Sequence, residues 1–169
     1  MEPNATPRTN PDNSQTGCCP SFDPEGWDGA ELHFENKPFV RAETRSLLHI
    51  PIDMGPVFAR TFKALEEHQA LDPTHALVLS RDLSLWRDEH LFAVDRQVPG
   101  QTMEYLSGDF VAKVFEGPYS QAPKWMKAMG EEVVRRGKQP GKTYFFYTTC
   151  PKCAKVFGKN HVVGVAQVV

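Results

Sequence analysis

Hydrophobic and polar positions predict the order strand, helix, strand, strand in the first half of the chain. Residues 45–53 have the pattern of a strand, and residues 55–69 carry apolar side chains at helical spacing. Two more strand-like segments, ALVLS and EHLFAVDRQV, lie on either side of the polar segment RDLSLWRD. We therefore predict one βαββ unit here, with RDLSLWRD as the loop between its last two strands.

The second half repeats this order. The segment DFVAKVFEG predicts a strand, and residues 120–137 predict a helix that Ser120 caps and Gly137 ends. The helix has an apolar stripe at positions i, i+3, i+4, i+7 and i+11, namely Ala122, Trp125, Met126, Met129 and Val133. We expect Trp125 and Met126 to be core residues. The segments TYFFYTT and HVVGVAQVV predict the closing strands.

Two features shared by the halves indicate an internal duplication. Gly-Pro introduces each helix, at Gly55 and at Gly117, and similar segments follow, FKALEE and MKAMGEE. The repeats span about residues 44–98 and 102–169. One βαββ unit cannot cover its own sheet, whereas two units related by a pseudo-twofold axis pair into one antiparallel sheet that carries two long helices. We therefore predict an α+β fold with a ligand groove along that axis.

The first 43 residues lie outside this pattern. Residues 1–17 are rich in Pro, Asn, Thr and Ser and contain little to bury, so we predict a disordered tail. Residues 18–43 are punctuated by Pro and Gly but carry large aromatic side chains, which usually anchor a loop to a finished surface. We predict an irregular lead-in that packs on a domain formed by residues 44–169.

Charge and hydropathy exclude several classes of function. The chain of 169 residues has a formal net charge of −2 and a pI near 6.3, so we expect no nucleic-acid partner. No apolar run approaches the ~20 residues that span a bilayer, and the first residues lack the apolar segment of a signal peptide. We therefore expect no membrane partner and a cytoplasmic protein with reduced thiols. The signatures G-x-S-x-G, H-E-x-x-H, G-x-G-x-x-G and the P-loop are absent from the sequence.

The second half resembles a known family. The segment GDFVAKVFEGPYSQAPKWMKAM, followed by RRGKQPGKTYFFY, is similar to the second half of the GyrI-like small-molecule-binding domain. That family has a strand ending in Gly-Pro-Tyr, a helix ending near Gly-x-x-Pro and a following aromatic strand. The resemblance covers about residues 44–169, more loosely in the first repeat, and leaves out the lead-in.

This resemblance implies a groove with aromatic walls and an acidic residue, which binds flat or lipophilic, often cationic, small molecules. Family members serve as effector domains of transcription regulators, as a gyrase-binding protein, and as stand-alone hydrolases that open cyclopropane-bearing toxins. Because the chain shows no DNA-binding helix-turn-helix, we expect a stand-alone protein. The first hypothesis is a hydrolase of lipophilic or strained electrophilic compounds that requires no cofactor. The alternative is a non-catalytic binder that sequesters hydrophobic or cationic small molecules or modulates a partner protein.

Glu116 and Tyr119 are the candidate catalytic residues. Glu116 ends the strand FVAKVFE, directly before Gly-Pro-Tyr. If that strand end faces an aromatic groove, desolvation makes the carboxylate a stronger base, which activates water or pairs with a cationic ligand. The alternatives are a solvated loop position for Glu116 and a packing role at the start of the helix for Tyr119.

Aromatic side chains supply the candidate ligand-binding residues. Tyr144 and Phe146 face one side of their strand, while Phe145 and Tyr147 face the other, and either pair can line a pocket. We select Tyr144, Phe146 and Tyr147. Trp86, in the polar segment RDLSLWRD, is either a lid over the ligand or an anchor of the loop.

The turn Cys150-Pro-Lys-Cys153 has three interpretations. Its spacing is that of half a structural zinc site, which Cys19, His33 or His161 would complete. A redox pair needs a helix directly after the first cysteine, and AKVFGKN is a poor helix. The third interpretation, which we favour, is a tight structural turn whose thiols pack against the lead-in.

Overall fold

The computed structural model describes residues 2–9, 22–148 and 160–169 of the chain. Its elements are β1 (Glu31–Leu47), β2 (Ile50–Pro51), α1 (Met54–Glu67), β3 (Val78–Asp82), β4 (Arg87–Ala93), β5 (Met103–Glu116), α2 (Ala122–Arg135), β6 (Pro140–Tyr147) and β7 (His161–Val168). Short 3-10 turns precede β3 and α2. The predicted mixture of strands with two helices is confirmed.

Six of these strands form a closed antiparallel barrel. Their order around the barrel is β1, β4, β3, β6, β7 and β5, and β5 pairs with β1 to close it. The pairings are antiparallel, as predicted. The closure differs from the prediction, which had a single sheet with helices on it, and the physical reason is the length of β1.

Strand β1 closes the barrel because its 17 residues pair with two different strands. Residues 31–40 pair with β5, and residues 39–45 pair with β4. Between Phe34 and Lys37 the register shifts by one residue, and Asn36 adopts a φ of 48° at this point. Such a bulge bends a strand and increases its twist, which lets β1 follow the curvature of the barrel.

The N-terminal residues take a larger part in the domain than predicted. Residues 31–43 belong to β1, so the irregular lead-in predicted for them is wrong. On each side of the bulge, alternate apolar side chains of this segment point to the barrel interior. The register shift at the bulge interrupts that alternation, so the sequence does not show one continuous strand pattern. Residues 2–9, predicted to be part of a disordered tail, contact this strand, since the backbone N–H of Asn4 donates to the His33 carbonyl at 2.8 Å.

The barrel interior is filled by aromatic and aliphatic side chains from both halves of the chain. The ring centroids of Phe34 and Phe110 are 5.1 Å apart, and those of Trp27 and Phe146 are 5.6 Å apart. The same buried cluster contains Phe39, Leu79, Leu91, Tyr144, Val163 and Val165. Because the cluster combines side chains from both halves, neither half has this core on its own.

Both helices pack on the outside of the barrel. Helix α1 packs through Leu65 on β1 and β4, and α2 packs through Met129 and Val133 on β5 and β7. Gly164 in β7 permits the close approach of α2, because a Cβ atom there would lie 2.5 Å from Met129 Sδ. In the described part of the chain, neither helix has the length and apolar character that a membrane span requires.

The start of α2 and one position of its stripe differ from the prediction. The N-cap is Gln121, whose side chain makes no capping hydrogen bond, and Ser120 lies in the preceding 3-10 turn. The start signal is therefore the proline in the first turn. Trp125 is buried as predicted, whereas Met126 is exposed and lines the cleft described next.

Candidate active site

A cleft of about 2030 Å³ lies on the outside of the barrel. Side chains from α1, from α2 and from strands β3, β4 and β6 line it. The apolar side chains from these elements include Phe58, Phe62, Ala122, Met126 and Phe145. Polar side chains interrupt them, among them Asp82, Asp88, His90 and Tyr147. Apolar walls with a few polar groups are typical of a small-molecule site.

Strand β6 presents alternate side chains to the barrel interior and to the outer face. Tyr144, which is 1% exposed, and Phe146 lie in the interior core. Tyr147 lies on the outer face at the cleft, where its ring meets that of Tyr119 at a centroid distance of 5.2 Å. Tyr144 is thus a core residue that does not line the cleft, contrary to its selection as a ligand-binding residue, whereas Phe146 belongs to the core and also borders the cleft. The structure brings together Tyr147 and Tyr119.

Two carboxyl groups face each other across the β3–β4 hairpin. Asp82 and Asp88 are partners in the antiparallel register, and both line the cleft. Asp88 is 5% exposed, and its Oδ2 accepts a hydrogen bond from the Ser46 hydroxyl. Its Oδ1 is buried and has no hydrogen-bond donor among the described residues in their ordinary ionised forms.

A shared proton would supply the missing donor. Burial raises the pKa of Asp88, the Ser46 hydrogen bond opposes this, and the neighbouring Asp82 raises the pKa further. Two carboxyl groups hydrogen-bond to each other only when one of them carries a proton. A pair that shares one proton would combine a carboxylate that accepts a proton with a carboxylic acid that donates one, which is the requirement for acid and base catalysis at one site.

An imidazole and a phenol stand beside this pair. His49 Nδ1 lies 2.7 Å from Asp82 Oδ2, and His49 also lines the cleft. Burial, followed by the charge of Asp82, raises the pKa of Tyr147 to about 12. The Tyr147 phenol is therefore protonated at neutral pH and can donate a hydrogen bond to an oxygen that gains negative charge.

A second polar group, the imidazole of His90, is buried under the ring of Phe58. His90 is buried, with Ser80 Oγ 2.7 Å from its Nδ1 and Thr44 Oγ1 2.8 Å from its Nε2. Burial lowers the pKa of His90 to about 4, so the imidazole is neutral at pH 7. A neutral ring has one donor and one acceptor nitrogen, and the two hydroxyls satisfy both.

We expect this histidine to make the protein sensitive to acid. The unfolded chain binds a proton at His90 near pH 6.5, whereas the folded chain does so only near pH 4. The free energy of unfolding should therefore fall by up to about 3 kcal/mol as the pH drops through this window. Urea unfolding at pH 7 and pH 4 measures the loss. His90→Gln, which keeps a donor and an acceptor but does not titrate, should lose correspondingly less, and an equal loss would contradict the assignment.

The structure places Glu116 and Trp86 away from the carboxyl pair. Glu116 ends β5 with its side chain 57% exposed and 3.8 Å from His161 Nε2, and it is not among the described residues that line the cleft. Trp86 is exposed in the β3–β4 hairpin and lines a smaller depression together with Arg45 and Ile52. The catalytic role of Glu116 and the lid role of Trp86 remain predictions.

The predicted metal ligands Cys19, Cys150 and Cys153 lie outside the described residues. So does the Cys-Pro-Lys-Cys turn, and its three interpretations remain predictions. In residues 2–9, 22–148 and 160–169, no group of three or more His, Cys, Asp or Glu side chains is placed to hold a metal ion.

Asp82, Asp88 and His49 were not recognised as site residues from the sequence. The two aspartates lie in the segment predicted to be a loop, RDLSLWRD, whereas the structure extends β3 to Asp82 and starts β4 at Arg87. The signal was the repeated Arg-Asp dipeptide on either side of the four residues LSLW, because a tight hairpin there makes the two aspartates cross-strand neighbours.

Fold and site together define a class of protein: an antiparallel barrel with two outer helices and a cleft that contains two neighbouring carboxyl groups. A family model described as bacterial hydrolase matches residues 9–168. The chain belongs to this bacterial hydrolase family, which indicates a hydrolase-type function. Comparison with curated proteins gives no match. The resemblance to GyrI-like domains remains a prediction.

Proposed function

We propose that the protein hydrolyses lipophilic, electrophilic small molecules in the cleft, with water activated by Asp82 and Asp88. One observation carries the proposal: Asp88 is 5% exposed, and among the described residues its buried Oδ1 lacks a donor beside a second carboxyl group. A structural aspartate would satisfy both oxygens, whereas a catalytic pair keeps one proton available for transfer.

The proposed reaction uses the pair as base and acid. The ionised Asp82 takes a proton from water while the water oxygen bonds to the electrophilic carbon of the substrate. The bond to the departing atom breaks, and that atom takes the proton of Asp88. Passage of the proton from Asp82 to Asp88 restores the starting state, so protons and charge balance. In this proposal the phenols of Tyr147 and Tyr119, whose rings meet at the cleft, stabilise negative charge that develops on the substrate.

The side chains that line the cleft support the proposal of a lipophilic substrate. Phe58, Phe145 and Met126 offer apolar surface on the elements that border the pair, which suits a flat or strained lipophilic compound. We also propose that the barrel is a duplicated βαββ unit with this cleft on its pseudo-twofold axis. The order strand, helix, strand, strand occurs twice, and the pairings β1–β5 and β3–β6 each join corresponding strands of the two halves.

A binder of cationic compounds is the second candidate function. Two adjacent carboxyl groups with the rings of Tyr147 and Phe145 on the same cleft are suited to an organic cation. Such a protein would hold a ligand without turnover. Asp82→Asn would then weaken a cationic aromatic probe strongly and a neutral one of the same shape only slightly.

Hydrolysis in water enriched in ¹⁸O tests the proposal. Purified protein is incubated with lipophilic esters, epoxides and cyclopropane-bearing electrophiles, and the products are analysed by mass spectrometry. We expect one ¹⁸O atom in the product and no covalent adduct on the protein, because water attacks directly. A covalent adduct at Ser80 would move the reaction to the Ser80–His90 pair. Tight binding of cations with no turnover on any probe would favour the binder.

A further inference from the structure

The turn that carries His49 has an unfavourable backbone for its sequence. Strands β1 and β2 pair at Leu47 and Ile50, so Leu48 and His49 form a two-residue hairpin loop. Their φ angles are +50° and +69°. Loops with two positive φ angles strongly favour Asn-Gly, because other side chains collide with their own backbone in this region.

Burial does not compensate for this strain. Leu48 is 61% exposed, and the neighbouring Ile50 is exposed as well, so neither side chain gains its position by packing in the core. The turn is fixed instead by two backbone hydrogen bonds to the β3–β4 hairpin. The N–H of His49 donates to the Leu85 carbonyl at 3.1 Å, and that of Ser46 donates to the Trp86 carbonyl at 2.7 Å.

The fixed turn brings one chemical group to the cleft. The Nδ1 atom of His49 lies 2.7 Å from Asp82 Oδ2. The Asp82 side chain is 59% exposed, and an exposed carboxylate rotates freely unless a partner holds it. The arginine beside it in sequence, Arg81, is directed to Glu89 at 2.9 Å and does not serve this purpose.

We propose that His49 is a positioning residue, which holds the Asp82 carboxylate in the orientation that takes a proton from water, and that the strained turn exists to place it. This inference rests on the proposed role of the Asp82–Asp88 pair. Strained residues that packing does not explain tend to occur at functional sites, where the strain maintains a required geometry. Here the contact with His49 holds the Asp82 carboxylate through its Oδ2 atom.

Two substitutions separate the strain from the imidazole. Leu48→Asn keeps His49 and places at position 48 a residue that tolerates positive φ. We expect it to raise Tm by ~2–4 °C with turnover equal to wild type. His49→Gly also relieves strain but removes the imidazole. We expect it to keep the wild-type Tm or exceed it, while kcat falls by ~10- to 100-fold and KM changes little, since a misplaced catalytic group costs up to ~10²-fold.

Rescue of kcat by added imidazole distinguishes a positioning role of His49 from a purely structural one. In His49→Gly, 50–100 mM imidazole (about the range needed for a weak site) should restore part of kcat, and it should have no such effect on Asp82→Asn. Wild-type kcat in His49→Gly, or a loss of kcat that follows a loss of Tm, would overturn the inference.

Failure of the proposed function is distinguishable from failure of this inference. If Asp88→Asn retains wild-type turnover, the carboxyl pair is not the reaction centre, and the role assigned to His49 is overturned with it. If Asp88→Asn is inactive while His49→Gly turns over at the wild-type rate, only the positioning role is overturned. The variant Leu48→Asn reports on the strain in either case, because Tm is measured without substrate.

Discussion

Replacement of Asp88 by asparagine should lower kcat by ~10²–10⁴-fold, because it removes the acid of the carboxyl pair. The same change should stabilise the protein at neutral pH. An asparagine side chain can accept the hydrogen bond from Ser46 and donate one to Asp82, so the buried oxygen no longer lacks a donor. Activity and stability should therefore move in opposite directions, each measured on the same purified variant by turnover and by thermal unfolding.

The raised pKa of Asp88 also predicts the direction in which stability changes with pH. The pKa of Asp88 is raised in the folded state, so the folded protein keeps its proton to higher pH than the unfolded chain. The free energy of unfolding should fall as the pH rises from about 3.8 through the raised pKa, and Asp88→Asn should lack this fall. A variant that is less stable than wild type at pH 7 would contradict a protonated pair.

A matched variant tests the prediction made from the Gly-Pro-Tyr motif. Glu116→Gln removes the carboxylate at the end of β5 in the same way that Asp88→Asn removes the one in the hairpin. If Glu116 is the general base, its variant loses ~10²–10⁴-fold and Asp88→Asn does not. A comparable loss in Glu116→Gln alone would move the reaction centre from the β3–β4 hairpin to the end of β5.

Truncation of Phe39 to alanine should cost about 3–5 kcal/mol of folding free energy. Phe39 is fully buried in the barrel interior on β1, in a segment predicted to be an irregular lead-in. At roughly 2–4 °C per kcal/mol for a domain of this size, Tm should fall by about 6–20 °C. Urea unfolding followed by tryptophan fluorescence measures the change.

Tyr105→Ala is the control for this truncation. Tyr105 is also a large aromatic residue of a barrel strand, but it lies exposed on β5. We expect its loss to change stability by less than about 1 kcal/mol. If Phe39→Ala is as mild as the control, β1 does not belong to the core, and the barrel would have to be closed in another way.

Periodic apolar spacing was sufficient to predict the two helices, because each buries one stripe on the barrel. It was insufficient for β1. Leu32 and Phe34 face inward with a period of two, and the bulge at Asn36 then shifts the phase before Phe39. A single extra residue breaks the alternation that marks a strand, and the proline and charged residues around it resemble a loop.

The candidate site was harder to predict because it depends on register. Asp82 and Asp88 become a pair only when the hairpin between them is tight, and His49 reaches them from a separate turn. None of these relations is a motif of consecutive residues. The sequence also leaves open which side chains of β6 line the cleft, because that depends on which face of the strand forms the barrel interior. In the structure Tyr144 is buried in the interior and Tyr147 lies on the outside.

The closing pair of strands has a consequence for how the chain reaches its native state. Phe34 is paired with Gly108, so β1 cannot acquire its second neighbour before the middle of the chain has been synthesised. Pairings between such distant segments fold slowly, since a long loop must close before the contacts form. Until β5 arrives, β1 has an open hydrogen-bonding edge beside apolar side chains, which is the kind of surface on which nascent chains associate. Chaperone demand and yield on expression should accordingly depend on how fast residues 103–116 reach β1.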